Sequence, residues 1–176
     1  MRNLVFVLTL FLTVTANFAQ RSYHEDTMRY FSLNGTEQQY DQAIDQMFTL
    51  LKQQYSSQNV PDSIWNELMG DKTEPLRNIK SLLVSAYRSN FSHEDIKELI
   101  VFYESKTGQQ MVKDRTQLSD SQKVALSDFF SSEVGQKVQN QGDSLRTMVA
   151  EVSELWSRDL YTETIKKLKT KGYQMP

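Results

Sequence analysis

The 176-residue chain contains no cysteine, and this absence removes several kinds of site. It excludes a disulfide framework and the lipid-attachment cysteine of a lipoprotein. The only histidines, His24 and His93, are far apart, and the sequence has no His-x-x-x-His or Glu-x-x-His pair. Metal sites need several such ligands to converge. The sequence therefore predicts neither a metal site nor a cofactor.

Glycine and proline are scarce, with 6 and 3 residues, which argues against a turn-rich β-sandwich and favours helices. The formal net charge is −2, and no segment concentrates basic or acidic residues. The electrostatic footprint of a nucleic-acid-binding protein is therefore missing. The length suits one domain with a substantial hydrophobic core.

The first 19 residues have the pattern of a secretory signal peptide. Arg2 supplies the positive charge, residues 4–14 form a short apolar run, and Ala19 ends a cleavage site before Gln20. The apolar run is shorter than the roughly 20 residues of a membrane-spanning helix. We therefore expect an exported protein, periplasmic or secreted, with no stable membrane insertion after cleavage.

The remaining sequence predicts a single all-helical domain over residues 35–176. Residues 20–34 have no clean period and favour a loosely ordered lead-in with one helical turn. From Thr36 onwards, apolar residues recur at steps of three and four, and no segment alternates with the period of two expected of a strand. The predicted fold class is all-α, a multi-helix bundle of helical hairpins with a long C-terminal helix.

A 27-residue internal repeat organises the middle of the chain, with copies at residues 91–114 and 118–141. This period is typical of a repeated helical hairpin. Ser92, Ser105 and Ser132 are predicted to cap helices. Six pairs of positions are identical between the copies: Ser92 and Ser119, Leu99 and Leu126, Phe102 and Phe129, Ser105 and Ser132, Gly108 and Gly135, Gln109 and Gln136.

The long C-terminal helix has an apolar seam that includes Val138, Leu145, Val152 and Leu155. Such a seam suits an antiparallel partner within a bundle, and it also permits a homodimer. Whether Gly142 interrupts this helix stays open at the level of sequence.

Residues 91–109 read F-S-x-x-D-I-x-x-L-I-x-F-Y-x-S-x-x-G-Q. This pattern resembles the signature of domain-of-unknown-function family 2059, exported bacterial helical proteins whose core motif reads roughly FY-x-S-P-x-G-[QK]. The resemblance covers about residues 76–137. Lys106 stands where the family usually has proline, and the second copy has Phe129 and Phe130 instead of a phenylalanine–tyrosine pair. The resemblance implies a helical fold and export, and it brings no established activity with it.

The candidate site consists of the aromatic, serine and glycine residues shared by the two copies. Its aromatic side chains fit two interpretations: core packing between the hairpins, or a groove between the hairpins that is open to a small ligand or a partner helix. We predict no catalytic residue, because capping explains both serines and no Gly-x-Ser-x-Gly or Ser-x-x-Lys motif is present. The candidate residues are Phe102, Tyr103, Ser105, Gly108, Phe129, Phe130, Ser132 and Gly135.

These observations favour a non-catalytic binding or protein-interaction module of the cell envelope, with an unknown envelope protein or a small ligand as its partner. The alternative is an envelope hydrolase that acts on cell-wall or polysaccharide material. The carboxylate pairs Glu94/Asp95 and Glu98/Glu104 lie on predicted solvated faces. Whether the protein is an enzyme stays open. His93, in a first helical turn, is interpreted as an ordinary exposed polar residue.

Overall fold

The computed structural model describes residues 21–70 and 72–174, and the predicted signal peptide lies outside them. The described residues form helices without any strand, so the prediction of an all-α multi-helix bundle with a long C-terminal helix is confirmed. No described helix is both long enough and apolar enough to cross a membrane. Two short 3-10 turns accompany the helices α1 (Tyr23–Leu33), α2 (Thr36–Gln54), α3 (Asp62–Met69), α4 (Thr73–Arg88), α5 (His93–Glu104), α6 (Lys106–Asp114), α7 (Asp120–Ser131), α8 (Glu133–Asn140) and α9 (Gly142–Thr170).

Helix α1 corrects the expectation of a loosely ordered lead-in. Ser22 begins it with a capping box, because the Ser22 hydroxyl accepts from the Glu25 N–H and the Glu25 carboxylate accepts from the Ser22 N–H. Its buried face includes two polar side chains, Asp26 and Thr27, beside Tyr30 and Phe31. Apolar periodicity does not detect a stripe of this mixed composition.

The rings of α1 pack against α4 in an aromatic cluster. Tyr87 of α4 lies with its ring centroid 5.6 Å from that of Tyr30, 4.8 Å from Phe31 and 5.8 Å from Phe91. The pairs with Tyr30 and Phe31 are edge-to-face, and the pair with Phe91 is stacked. Aromatic pairs of both kinds contribute about 0.5–1.5 kcal/mol each beyond the burial of their area. Burial raises the pKa of Tyr87 to about 12, so this phenol stays neutral at physiological pH. The cluster joins the N-terminal helix to the repeat.

Helix α9 runs antiparallel to α4. Near the start of α9, the Met148 sulfur lies 3.5 Å from the side-chain nitrogen of Asn90, which follows the end of α4. Just after the end of α9, the Lys171 ammonium lies 2.7 Å from the carboxylate of Glu67, which precedes α4. The predicted seam is used within the chain, since Val138, Leu145 and Val152 pack against the core. Leu155 is the member of the seam that stays exposed.

The question of Gly142 is answered by a break just before it. Helix α8 ends at Asn140, and α9 begins at Gly142, with Gln141 as the only residue between them. Gln141 has φ −92° and ψ −1°, and its carbonyl accepts the Leu145 N–H at 2.9 Å. The backbone therefore stays close to helical across the break between α8 and α9.

Candidate functional site

Ser105 is the only residue between α5 and α6, and it bonds to both helices. Its hydroxyl donates to the Phe102 carbonyl at 2.6 Å and accepts from the Gly108 N–H at 3.1 Å. Its backbone is extended, with φ −69° and ψ 159°. One hydroxyl thus satisfies a carbonyl at the end of α5 and an N–H at the start of α6, groups that a helix end otherwise leaves unpaired. We call this arrangement the Ser105 joint.

Ser132 forms the same joint between α7 and α8. Its hydroxyl donates to the Phe129 carbonyl at 2.7 Å and accepts from the Gly135 N–H at 3.2 Å. The backbone angles, φ −72° and ψ 166°, match those of Ser105 closely. The conserved spacing within the repeat therefore encodes one local structure twice.

Both glycines are required because each new helix starts against the end of the previous one. A Cβ atom built on Gly108 would lie 2.2 Å from the Phe102 carbonyl oxygen and 2.6 Å from the Tyr103 Cα. On Gly135 it would lie 2.0 Å from the Phe129 carbonyl oxygen. The clashing atoms belong to the backbone, so no side-chain rotation relieves them.

The aromatic residues of the candidate site pack on each other and on α1. Phe102 and Phe129 stack with centroids 3.7 Å apart and planes 15° apart, and Phe130 lies 5.3 Å from Phe129. Tyr103 contacts the edge of Tyr30 at 5.6 Å. Burial raises the pKa of the Tyr103 phenol further above its ordinary value, as expected of a packed side chain. The stacked pair of Phe102 and Phe129 fits core packing between the two copies, which is one of the two interpretations of the sequence.

The second copy keeps the joint but not the apolar face. In α5, Ile96 and Ile100 are buried, and α5 packs against α1. Their equivalents in α7 are Lys123 and Ser127, and no residue of α7 is fully buried. Helix α7 therefore lies on the outside of the bundle.

His93 is not the ordinary exposed residue that the sequence suggests. Its Nε2 lies 2.8 Å from the buried Asp26 carboxylate, and its ring meets the Tyr23 ring at 5.8 Å. Arg21 approaches the same carboxylate at 3.7 Å. Asp26 and His93 are 67 positions apart, so local pattern does not reveal the pair. It ties the start of α1 to the start of α5.

Three of the carboxylates considered for a hydrolase form ion pairs in the structure: Glu94, Asp95 and Glu104. Lys97 binds Glu94 at 2.8 Å, and Arg29 binds Glu104. Asp95 accepts from the Ser92 N–H and from the Lys137 ammonium, each at 2.6 Å. The carboxyl pKa shifts that are resolved all go downward, at Glu25, Glu37, Asp95 and Asp114. A catalytic general acid needs the opposite shift.

The pair between Asp95 and Lys137 makes stability depend on pH. Burial of Asp95 acts to raise its pKa, but Lys137 and Ser92 outweigh burial and hold the pKa below its ordinary value. A carboxyl with a lowered folded-state pKa stabilises the fold above its unfolded pKa, about 3.9 for aspartate, and loses that contribution as pH falls through the folded value. We expect Lys137→Ala to cost about 1–2 kcal/mol at pH 7, and less as pH falls below about 4. Urea unfolding at a series of pH values measures this difference.

Lys123→Ala is the matched control for Lys137→Ala. Lys123 pairs with Asp120 at 2.9 Å, but both side chains are well exposed, so the loss should stay under about 0.5 kcal/mol at every pH. Equal effects of the two substitutions at pH 7 would contradict the role assigned to the buried carboxylate.

A concave feature lies elsewhere, between α2, α3, α4 and α9. It encloses about 670 Å³, and we call it the α4–α9 groove. None of the candidate residues from the sequence lines it. Leu82 and Leu155 stand on its edges with 44% and 52% of their surface exposed. Its apolar lining includes Ile44, Phe48, Leu82, Val152, Leu155 and Trp156.

The charged residues around the α4–α9 groove are mostly paired within the chain. Lys72 binds Asp41 at 3.0 Å and Asp45 at 2.7 Å, while Lys171 binds Glu67 at 2.7 Å. Asp159 and Glu163 line the groove from α9 and form no ion pair with another described residue. Lys167 is the one lining cation that also forms none among the described residues, so the α9 side of the rim keeps two carboxylates against one ammonium.

The sequence contained one signal for the α4–α9 groove. The buried face of α4 includes Ile79, Leu83 and Val84, and Leu82 lies beside that stripe, on the edge of the groove. An apolar residue at the margin of a complete stripe indicates a second, partly exposed apolar surface.

Metal binding receives no support from the described side chains. Within residues 21–70 and 72–174, no group of three or more histidine, cysteine, aspartate or glutamate side chains is arranged to hold a metal ion.

Comparison with known proteins gives one result. Residues 77–124 match the model of a family described as "Uncharacterized protein conserved in bacteria (DUF2059)". The match runs from α4 through the Ser105 joint into α7. Neither the curated proteins nor the solved structures gave a match. Over residues 77–124 the chain is therefore similar to the uncharacterised bacterial family DUF2059, the same family that the motif around Ser105 resembles.

Proposed function

We propose that the protein is an exported, non-catalytic binding module of the bacterial cell envelope, either periplasmic or secreted, and that its binding surface is the α4–α9 groove. The observation that carries this proposal is the pair of exposed leucines, Leu82 and Leu155, above the buried Trp156. A concave surface of several hundred Å³ with apolar walls and a few polar groups is typical of a binding site. Leaving it in water costs free energy that an occupant recovers.

Export is supported by the signal-peptide pattern of residues 1–19. An exported chain whose binding surface is apolar meets its partner in the envelope or outside the cell. Glu94, Asp95 and Glu104, three of the carboxylates considered for a hydrolase, are engaged in ion pairs, which supports binding over the hydrolase alternative.

Native mass spectrometry of the chain recovered from its export compartment tests this function. We expect a polypeptide mass that begins at Gln20, together with a retained small molecule or partner protein. Leu155→Asp should abolish the retained mass, because it places a charge on the apolar wall. The fold should survive this substitution, since Leu155 is already 52% exposed.

Leu50→Asp is the matched control, because Leu50 is 58% exposed and lies outside the groove lining. It should retain the bound mass in full. Equal retention by the Leu155→Asp and wild-type chains would remove the groove as the binding surface, and a retained second copy of the chain would identify a homodimer instead.

A further inference from the structure

The α4–α9 groove runs along α9. Its α9 wall extends from Val152 to Lys167, which at 1.5 Å per residue is about 22 Å. Its α4 wall extends from Glu74 to Leu82 and runs antiparallel to part of the α9 wall. Most apolar residues of the two walls lie on α9, as Val152, Leu155, Trp156 and Leu160, and α4 adds Leu82. An apolar strip beside two antiparallel helices is the kind of surface that accepts a third helix. The α9 wall alone has the length of about four helical turns, and the part that α4 also bounds, about 12 Å, has the length of about two.

The charges on the rim define which helix fits. Asp159 and Glu163 are four positions apart on α9, so both face the same side, one turn from each other. Neither forms an ion pair with another described residue, and Lys167, four positions after Glu163 on the same face, also forms none, so these three groups leave the rim with a net negative charge. A basic side chain on the occupant would pair with this acidic edge, and an anionic headgroup would be repelled by it.

Building on the proposed function, we propose that the occupant of the α4–α9 groove is an amphipathic α-helix of a partner protein, with lysine or arginine flanking its apolar stripe. The apolar stripe would lie against Leu82, Leu155 and Trp156, and the basic residues would lie beside Asp159 and Glu163. Apolar contact supplies affinity, and the charges fix the orientation and exclude acidic helices.

Two fluorescent 18-residue peptides test the proposal, both with leucines at helical spacing and with either lysine or glutamate at the remaining positions. We expect the lysine peptide to bind and the glutamate peptide to bind at least tenfold more weakly, by fluorescence anisotropy. The double variant Asp159→Asn/Glu163→Gln should weaken the lysine peptide about five- to tenfold, because two exposed charge pairs contribute about 1–1.4 kcal/mol together. Added salt should weaken wild-type binding more than binding by this variant.

Variants of the groove separate specific binding from general attraction of a cationic peptide. Leu155→Asp should abolish binding although it adds negative charge, and Leu50→Asp should leave binding unchanged. Nonspecific electrostatic attraction would strengthen with either substitution, and that result overturns the proposal.

Binding of dodecanoate, measured beside the two peptides, separates a wrong helical occupant from a groove that binds nothing. If dodecanoate binds in a Leu155-dependent manner and the lysine peptide does not, the groove is a binding site for an acyl chain and the helical occupant is wrong. If the two peptides bind equally, the role of the acidic rim is wrong. If neither peptide nor dodecanoate binds and native mass spectrometry shows a bare monomer, both the inference and the proposed function fail.

Discussion

Replacing Gly108 with alanine is expected to lower the free energy of unfolding by about 3 kcal/mol or more. The added methyl would sit 2.2 Å from the Phe102 carbonyl oxygen, so α5 and α6 must separate before it fits. Separation would also lengthen the bonds that Ser105 makes to both helices. Thermal unfolding should show a fall in Tm of about 10 °C for a domain of this size.

Gly142→Ala is the control for this result. Nothing lies within 4 Å of a Cβ built on Gly142, which is the first residue of α9. Alanine there should be neutral or should stabilise the chain by up to about 1 kcal/mol, since glycine is the poorer helix former. Gly135→Ala should behave like Gly108→Ala, because the equivalent distance is 2.0 Å. A Gly108→Ala protein as stable as the Gly142→Ala protein would show that the helices at the joint are not in close contact.

Replacing Phe31 with alanine is expected to cost about 3–5 kcal/mol. Phe31 has 0% of its surface exposed and packs edge-to-face on Tyr87, with centroids 4.8 Å apart. The cavity would open between α1 and α4, where the surrounding rings are too large to close it. Urea unfolding followed by circular dichroism measures the loss.

Leu50→Ala provides the comparison for Phe31→Ala, as a large apolar side chain that is 58% exposed. Its effect should stay within about 0.5 kcal/mol. If Phe31→Ala cost no more than this, α1 would not be part of the core, and the loosely ordered lead-in expected from the sequence would describe it better.

The joints were predictable because every atom they need lies within seven residues. A serine that follows an aromatic pair and precedes a glycine by three specifies the cap, the turn and the close approach together. The capping box at Ser92 is local in the same way, with Asp95 in the third helical position. Local chemistry of this kind is readable from sequence.

The parts that escaped prediction depend on contacts between distant segments or on buried polar residues. Helix α1 hides its buried face behind Asp26 and Thr27, whose polarity breaks the apolar period. Asp26 is tolerated inside because His93 reaches it from α5 and Arg21 approaches it from the residue before the α1 cap. The α4–α9 groove exists only once four helices are assembled, so no single helix pattern defines it.

The polar replacements in α7 remove the apolar face with which the equivalent helix α5 packs against α1. In a stacked helical array, each unit needs an apolar face for its neighbour, and the terminal unit needs a hydrophilic one. Lys123 and Ser127 provide that hydrophilic face in place of Ile96 and Ile100, while the Phe102–Phe129 stack holds the terminal unit in place. Helix α7 therefore exposes to water the face that is equivalent to the α1-packing face of α5, and only isoleucines at both positions would restore a surface for another helix there.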